Sequence, residues 1–136
     1  MTSPLSNAPG VLVVDDDPDI LDTTAHMLKV RGFRVHTALD SASAMEICHA
    51  QQGKIDVLVA DLSMPGDSRG DLARDVTAAY PKIQVVYVSA IPRHVALSQG
   101  LVRPEAPYLQ KPAQPNVLAN LVQGVLPSSP QAASDY

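Results

Sequence analysis

Five residues spread along the chain could together handle a phosphoryl group, and each stands at the end of an apolar run. Asp15 and Asp16 follow "VLVV", Asp61 ends "IDVLVAD", Ser89 ends "VVYVS", and Lys111 ends "PYLQK" just before Pro112. Mg²⁺ or Mn²⁺ takes hard oxygen ligands, commonly one or two carboxylates with water and a phosphate oxygen. Asp15, Asp16 and Asp61 can supply such ligands. Carboxylates gathered this closely repel each other, so the cluster costs stability unless a cation intervenes. A carboxylate beside a divalent cation can attack phosphorus and hold an acyl phosphate, which is the role that falls to Asp61. Lys111 can pair with a phosphoryl oxygen as a point charge, and the Ser89 hydroxyl can donate to another. Taken singly, each residue has a plainer reading: a solvated loop charge, a turn serine, a surface lysine. Their common placement after apolar runs is what points to one site. Asp17, the last of the acidic run, reads as a helix cap rather than a ligand.

To gather these groups, the apolar runs must be strands. Runs of four to six apolar residues read as parallel strands buried on both faces, and ligands bind such sheets at the carboxyl ends of the strands. Strand-like and helix-like periods alternate five times, the pattern of a doubly wound α/β fold. Strands are expected at 11–14, 33–38, 55–61, 83–88 and 107–110. The first helix starts at Pro18, with Ile20, Leu21, Thr24, Met27 and Leu28 inward and Gly32 as its stop. A second begins near Ser41, with Ala44, Ile47 and Cys48 inward and Gly53 at its end. A third spans about 70–80 after a Gly, Pro and Ser-rich loop at 62–69, with Leu72, Val76 and Ala79 inward. The fourth, about 93–100, is weak and bounded by Pro92 and Gly100. The last, about 114–126, turns Val117, Leu118, Leu121, Val122 and Val125 inward. Residues 1–10 and 127–136 are small, polar and proline-containing, and read as mobile tails around one domain at 11–126.

Composition excludes several classes. A chain of 136 residues is one domain, 46% of it apolar and only 18% charged, which suits a buried sheet. The net charge is −4 and its ten Lys and Arg are scattered, so no basic stripe exists to bind a nucleic acid. The single cysteine, Cys48, has no partner for a disulfide, and no run approaches the length of a membrane span. With no signal sequence at the start, the expected location is the cytoplasm, with no membrane contact. The histidines His26, His36, His49 and His94 are not spaced as a metal set.

With these residues in view, the chain resembles the receiver domains of bacterial two-component signalling over about residues 10–126. Asp15 and Asp16 match the family's metal-binding pair, and Asp61 in "DLSMPG" matches its phosphoacceptor. Ser89 with Ala90 matches its hydroxyl and small residue, and Lys111 with Pro112 its lysine and cis peptide. Tyr108 stands where the family keeps an aromatic switch. The resemblance implies a flavodoxin-like (βα)5 three-layer sandwich with strand order 2-1-3-4-5, and the backbone carbonyl of Ser63 as a further metal ligand. It implies phosphoryl transfer from a histidine kinase or phosphotransfer protein to Asp61. Ser89 then moves toward the phosphoryl group, Tyr108 turns inward, and a downstream protein binds the face made by the fourth helix, fifth strand and last helix. Such a domain catalyses only its own phosphorylation and dephosphorylation. Two departures stand out: Ala113 where Phe often follows Lys-Pro, which implies looser packing under the last helix, and a short fourth helix between Pro92 and Pro104.

Two other classes fit part of the pattern. A haloacid dehalogenase-type phosphatase also uses Asp, Mg²⁺, a hydroxyl and Lys; Asp15 and Asp17 have its spacing, but Asp19 stands in place of its hydroxyl and there is no length for a cap domain. A pseudo-receiver would keep the fold as a protein-binding module without the phosphate chemistry, against which the complete residue set argues. The short run after the last helix leaves no room for an effector, so a stand-alone regulator or the receiver of a hybrid histidine kinase is expected; "GLVRPEAPYLQKPA" leans toward the latter.

Overall fold

The computed structural model describes residues 8–64 and 70–126. Five strands, β1 (Gly10–Val14), β2 (Arg34–Ala38), β3 (Val57–Ala60), β4 (Gln84–Ser89) and β5 (Tyr108–Gln110), alternate with five helices. The helices are α1 (Pro18–Val30), α2 (Ser41–Gln51), α3 (Asp71–Ala79), α4 (Arg93–Ser98) and α5 (Pro115–Val125). All strand pairs are parallel and the order is β2-β1-β3-β4-β5, the flavodoxin-like arrangement expected from the resemblance.

The apolar strands are explained by helices on both sheet faces. Val11, Val13, Val57, Val59, Val86 and Val88 pack with Leu21 and Leu28 of α1 and with Leu118 and Val122 of α5. Their strand neighbours Leu12, Val14, Leu58 and Ala60 face the other way, against Ala44 and Cys48 of α2 and Leu72, Ala73 and Val76 of α3. Each such fully buried Val or Leu contributes about 1.5–3 kcal/mol relative to exposure. A third, smaller cluster joins Leu62, Ala96 and Val102 beside Tyr87 and Tyr108.

Local chemistry sets the helix ends. The Asp17 carboxylate accepts from the N–H of Asp19 at 2.9 Å, with Pro18 in the first turn, so the cap reading holds. Asp40, which the sequence reading passed over, caps α2 by accepting from Ser43 N–H at 2.8 Å. Gly10 admits no side chain, because a Cβ there would lie 2.2 Å from the Lys54 carbonyl oxygen.

Several boundaries and faces differ from expectation. Gly10, assigned to the N-terminal tail, opens β1 and is buried, while Pro9 accepts from Arg34 N–H at 2.9 Å. β3 starts two residues later than expected and stops at Ala60, leaving Asp61 just beyond the strand end. Ile20, Ala79 and Val117 face solvent, and Ala25, Ala73 and Ala119 are buried instead. The expected hydrophobic stripes favoured large residues, whereas helices lying close to a sheet seat alanine at the tightest approach. The terminal segments 1–7 and 127–136, and the part of the third loop at 65–69, lie outside the described residues.

Candidate functional site

Parallel strands end their carboxyl termini on one side, and that edge carries the predicted residues. Asp15 follows β1, Asp61 follows β3, Ser89 ends β4, and Lys111 follows β5. Asp15 and Asp61 are buried, at 4% and 6% exposure, while Asp16 is exposed.

The two buried carboxylates are held in the same way. Asp15 Oδ1 accepts from Asp17 N–H at 3.0 Å, and Asp61 Oδ1 accepts from Ser63 N–H at 2.8 Å. Each is an Asx-type turn, in which an aspartate bonds the backbone two residues on. The second oxygens meet one cation: Lys111 Nζ donates to Asp15 Oδ2 at 2.5 Å and to Asp61 Oδ2 at 2.8 Å. Burial works to lower the Lys111 pKa, but the hydrogen bonds and charges of Asp15 and Asp61 outweigh it and hold the ammonium above its ordinary value. Lys111 and Pro112 are joined by a cis peptide bond.

The donor set suits a hard divalent cation. Carboxylate oxygens from Asp15, Asp16 and Asp61 lie within 4.8 Å of one another, and of the three only Asp16 is exposed. No comparable group of His, Cys, Asp and Glu occurs elsewhere among the described residues. The Ser89 hydroxyl is fully buried, 3.1 Å from the Ser63 hydroxyl, and accepts from Ile91 N–H at 3.2 Å. The Tyr108 hydroxyl donates to the Ile91 carbonyl at 2.5 Å, and its ring lies 6.3 Å from that of Tyr87. Burial, joined by the Asp61 charge, raises the Tyr108 pKa despite an opposing Ser89 contribution. Ser89 and Tyr108 thus bind the same residue, Ile91, on the β4–α4 connection.

The resemblance implies a role for the Ser63 carbonyl alone; the structure uses its N–H and its hydroxyl. The signal was available, since an Asp followed two residues later by a small polar residue is a common Asx turn. Cys48 is buried, with its thiol pKa raised by burial, which leaves it unreactive. His26, His49 and His94 are exposed; His49 Nδ1 lies 2.6 Å from the Tyr80 hydroxyl, away from the site. Ala113 is half-buried beside an apolar hollow under α5, as the missing Phe implied.

Comparison with known proteins agrees with this fold. A family model described as the response regulator receiver domain matches residues 11–123. The chain is 28% identical over 122 residues to the sensor kinase CckA of Brucella abortus, covering 90% of this chain and 13% of that protein. It is 34% identical over 119 residues to the transcriptional regulatory protein PrrA of Mycobacterium leprae, covering 88% of this chain and 49% of that one. The chain therefore spans half or less of the length of these relatives. Among solved structures, the chemotaxis protein CheY4 of Vibrio cholerae superposes with a TM-score of 0.77 at 25% identity, over 88% of this chain and 99% of that one. Among the described residues, no helix is long and apolar enough to cross a membrane.

Proposed function

The chain belongs to the response regulator receiver domain family of two-component signalling, and from that premise we propose that it is a phosphoacceptor switch acting in the cytoplasm, with Asp61 as the acceptor. The observation that carries this reading is the bridge from one ammonium, Lys111, to both Asp15 and Asp61. It keeps a buried carboxylate fixed at the sheet edge, beside an exposed acid, Asp16.

In this reading a carboxylate oxygen of Asp61 attacks the phosphorus of a phosphohistidine on a histidine kinase or phosphotransfer protein. A P–O bond forms as the P–N bond breaks, and the imidazole takes the electron pair. The Ser63 N–H and the Lys111 ammonium hold the acceptor carboxylate in place before transfer. Asp15, Asp16 and Asp61, with the Ser63 carbonyl, would hold Mg²⁺, which supplies charge neutralisation for the phosphoryl oxygens. Lys111 remains as a second positive charge on those oxygens. The Ser89 hydroxyl leaves Ser63 for the phosphoryl group, and the shared Ile91 contact relays that shift to Tyr108. The face of α4, β5 and α5 then changes its affinity for a protein partner, a small charge event biasing a two-state surface.

The test is intact mass after incubation with acetyl phosphate and Mg²⁺, for the wild type beside Asp61→Asn, with EDTA controls. A metal-dependent phosphoryl adduct on the wild type alone is expected. An adduct on neither protein, also after exposure to phosphorylated kinase, would leave a docking module without phosphate chemistry.

A further inference from the structure

A hollow of about 310 Å³ lies under α5, beside the carboxylate site, lined by Val88, Ala113 and Leu118 and by the partly exposed Ile20. Lys111 borders one side, and Thr24 of α1 lines the interior. Ala113 contributes only a methyl group there, so α1, β4 and α5 meet around space that no side chain fills. The volume lies at the lower end of small-molecule sites, about 300–1,000 Å³. It is about twice the ~150 Å³ apolar cavity that accepts one benzene ring.

Thr24 makes the hollow more than a packing gap. It is 6% exposed, and among the described residues no group bonds its hydroxyl. Threonine inside a helix ordinarily bonds back to the preceding turn, as Thr77 does by donating to the Ala73 carbonyl at 2.7 Å. The Thr24 hydroxyl is thus left free where the residue lines the apolar hollow. Lys111, the only charged group on the wall among the described residues, is already bonded to Asp15 and Asp61. The wall therefore offers one free hydrogen-bonding group and otherwise apolar surface.

We infer that this hollow is a binding site for a small, uncharged ring compound of about two fused rings bearing one hydrogen-bonding group. The rings pack on Ile20, Val88, Ala113 and Leu118, and the polar group bonds Thr24 Oγ1. An anionic ligand is disfavoured, because Asp15 and Asp61 already satisfy the neighbouring ammonium.

Indole is a suitable probe, with two rings and one N–H donor, and 1-methylindole is its partner lacking the donor. Amide NMR titration of the full chain, without phosphodonor, is expected to show saturable shifts at Ile20, Thr24, Val88 and Leu118. Thr24→Val keeps the shape of the wall and should weaken indole about threefold to tenfold while leaving 1-methylindole unchanged. Ala113→Phe should abolish binding, and Ala113→Leu should weaken it if the larger residue prevents folding. Shifts that fail to saturate, that centre on the open surface near Arg74 and Arg103, or that survive both filling variants would overturn the assignment. Because the readout needs no phosphate, none of these outcomes bears on whether Asp61 is a phosphoacceptor.

Discussion

The Lys111 ammonium stands 2.5 Å from a carboxylate oxygen of Asp15, across 96 residues of sequence. β5 is not a neighbour of β1 in the sheet, with β3 and β4 between them. The long lysine stem bridges that gap along the strand ends and reaches Asp61 on the way. The chain thus supplies its own cation to the carboxylates that are proposed to hold the metal ion.

Removing the lysine therefore exposes that sharing. Lys111→Met leaves Asp15 and Asp61 buried and facing each other, and should lose about 3–5 kcal/mol of stability in EDTA. Saturating Mg²⁺ should restore a large part of the loss. Urea unfolding with EDTA and with Mg²⁺ checks this; an identical loss in both would show that the ammonium and the metal do not act on the same pair.

Asp16 is the cleanest probe of the metal, because it is exposed and its side chain bonds none of the other described residues. Mg²⁺ at tenfold over its Kd should stabilise the wild type by about 1.4 kcal/mol. Asp16→Ala should fold normally and lose most of that gain. A melting temperature that rises equally with Mg²⁺ in both proteins would remove Asp16 from the ligand set.

Tyr108→Phe removes the hydrogen bond to the Ile91 carbonyl and leaves the ring beside Tyr87. A stability change of about 0.5–1.5 kcal/mol is expected. The more telling readout is the β4–α4 connection. On adding beryllofluoride, amide shifts at Ser89 should persist, while those at Ile91 and along α4 should shrink. Unchanged shifts along α4 would separate Tyr108 from the switch.

His36 on β2 gives a pH test away from the site. Its pKa is lowered by burial and by the Arg34 charge. The folded protein thus resists protonating a group that protonates freely when unfolded. The stability tied to neutral His36 is fully present above the ordinary histidine value of about 6.5, and is lost as pH falls below it toward the lowered folded value. Urea midpoints between pH 7.5 and 5 should decline more steeply in the wild type than in His36→Gln. Parallel curves would mean that another group sets the acid limb.

Much of this site was legible from the chain. An apolar run buried on both faces has few fates other than a parallel strand, so Asp15, Ser89 and Lys111 at the run ends were bound for one sheet edge. Asp61 was legible for the same reason, although its strand closes one residue earlier. The helix faces were less legible, because a stripe shows which residues are apolar and not which turn lies nearest the sheet. Hence Ile20 and Val117 were expected inside and lie outside, and Ala25, Ala73 and Ala119 took the close approaches.

The sequence by itself determined the element types, the doubly wound class and the chemical kinds of group at the sheet edge, because these follow from short-range periodicity and from what each residue can ionise or donate. Only the tertiary structure decided that one ammonium serves two carboxylates, that Ser63 and Ser89 join hydroxyls, that Tyr108 meets Ile91, and that Ala113 and Thr24 share a hollow of about 310 Å³. Those relations depend on distances between elements far apart in the chain. Side-chain reach and the packing of three layers set such distances, and neither is written in any local pattern.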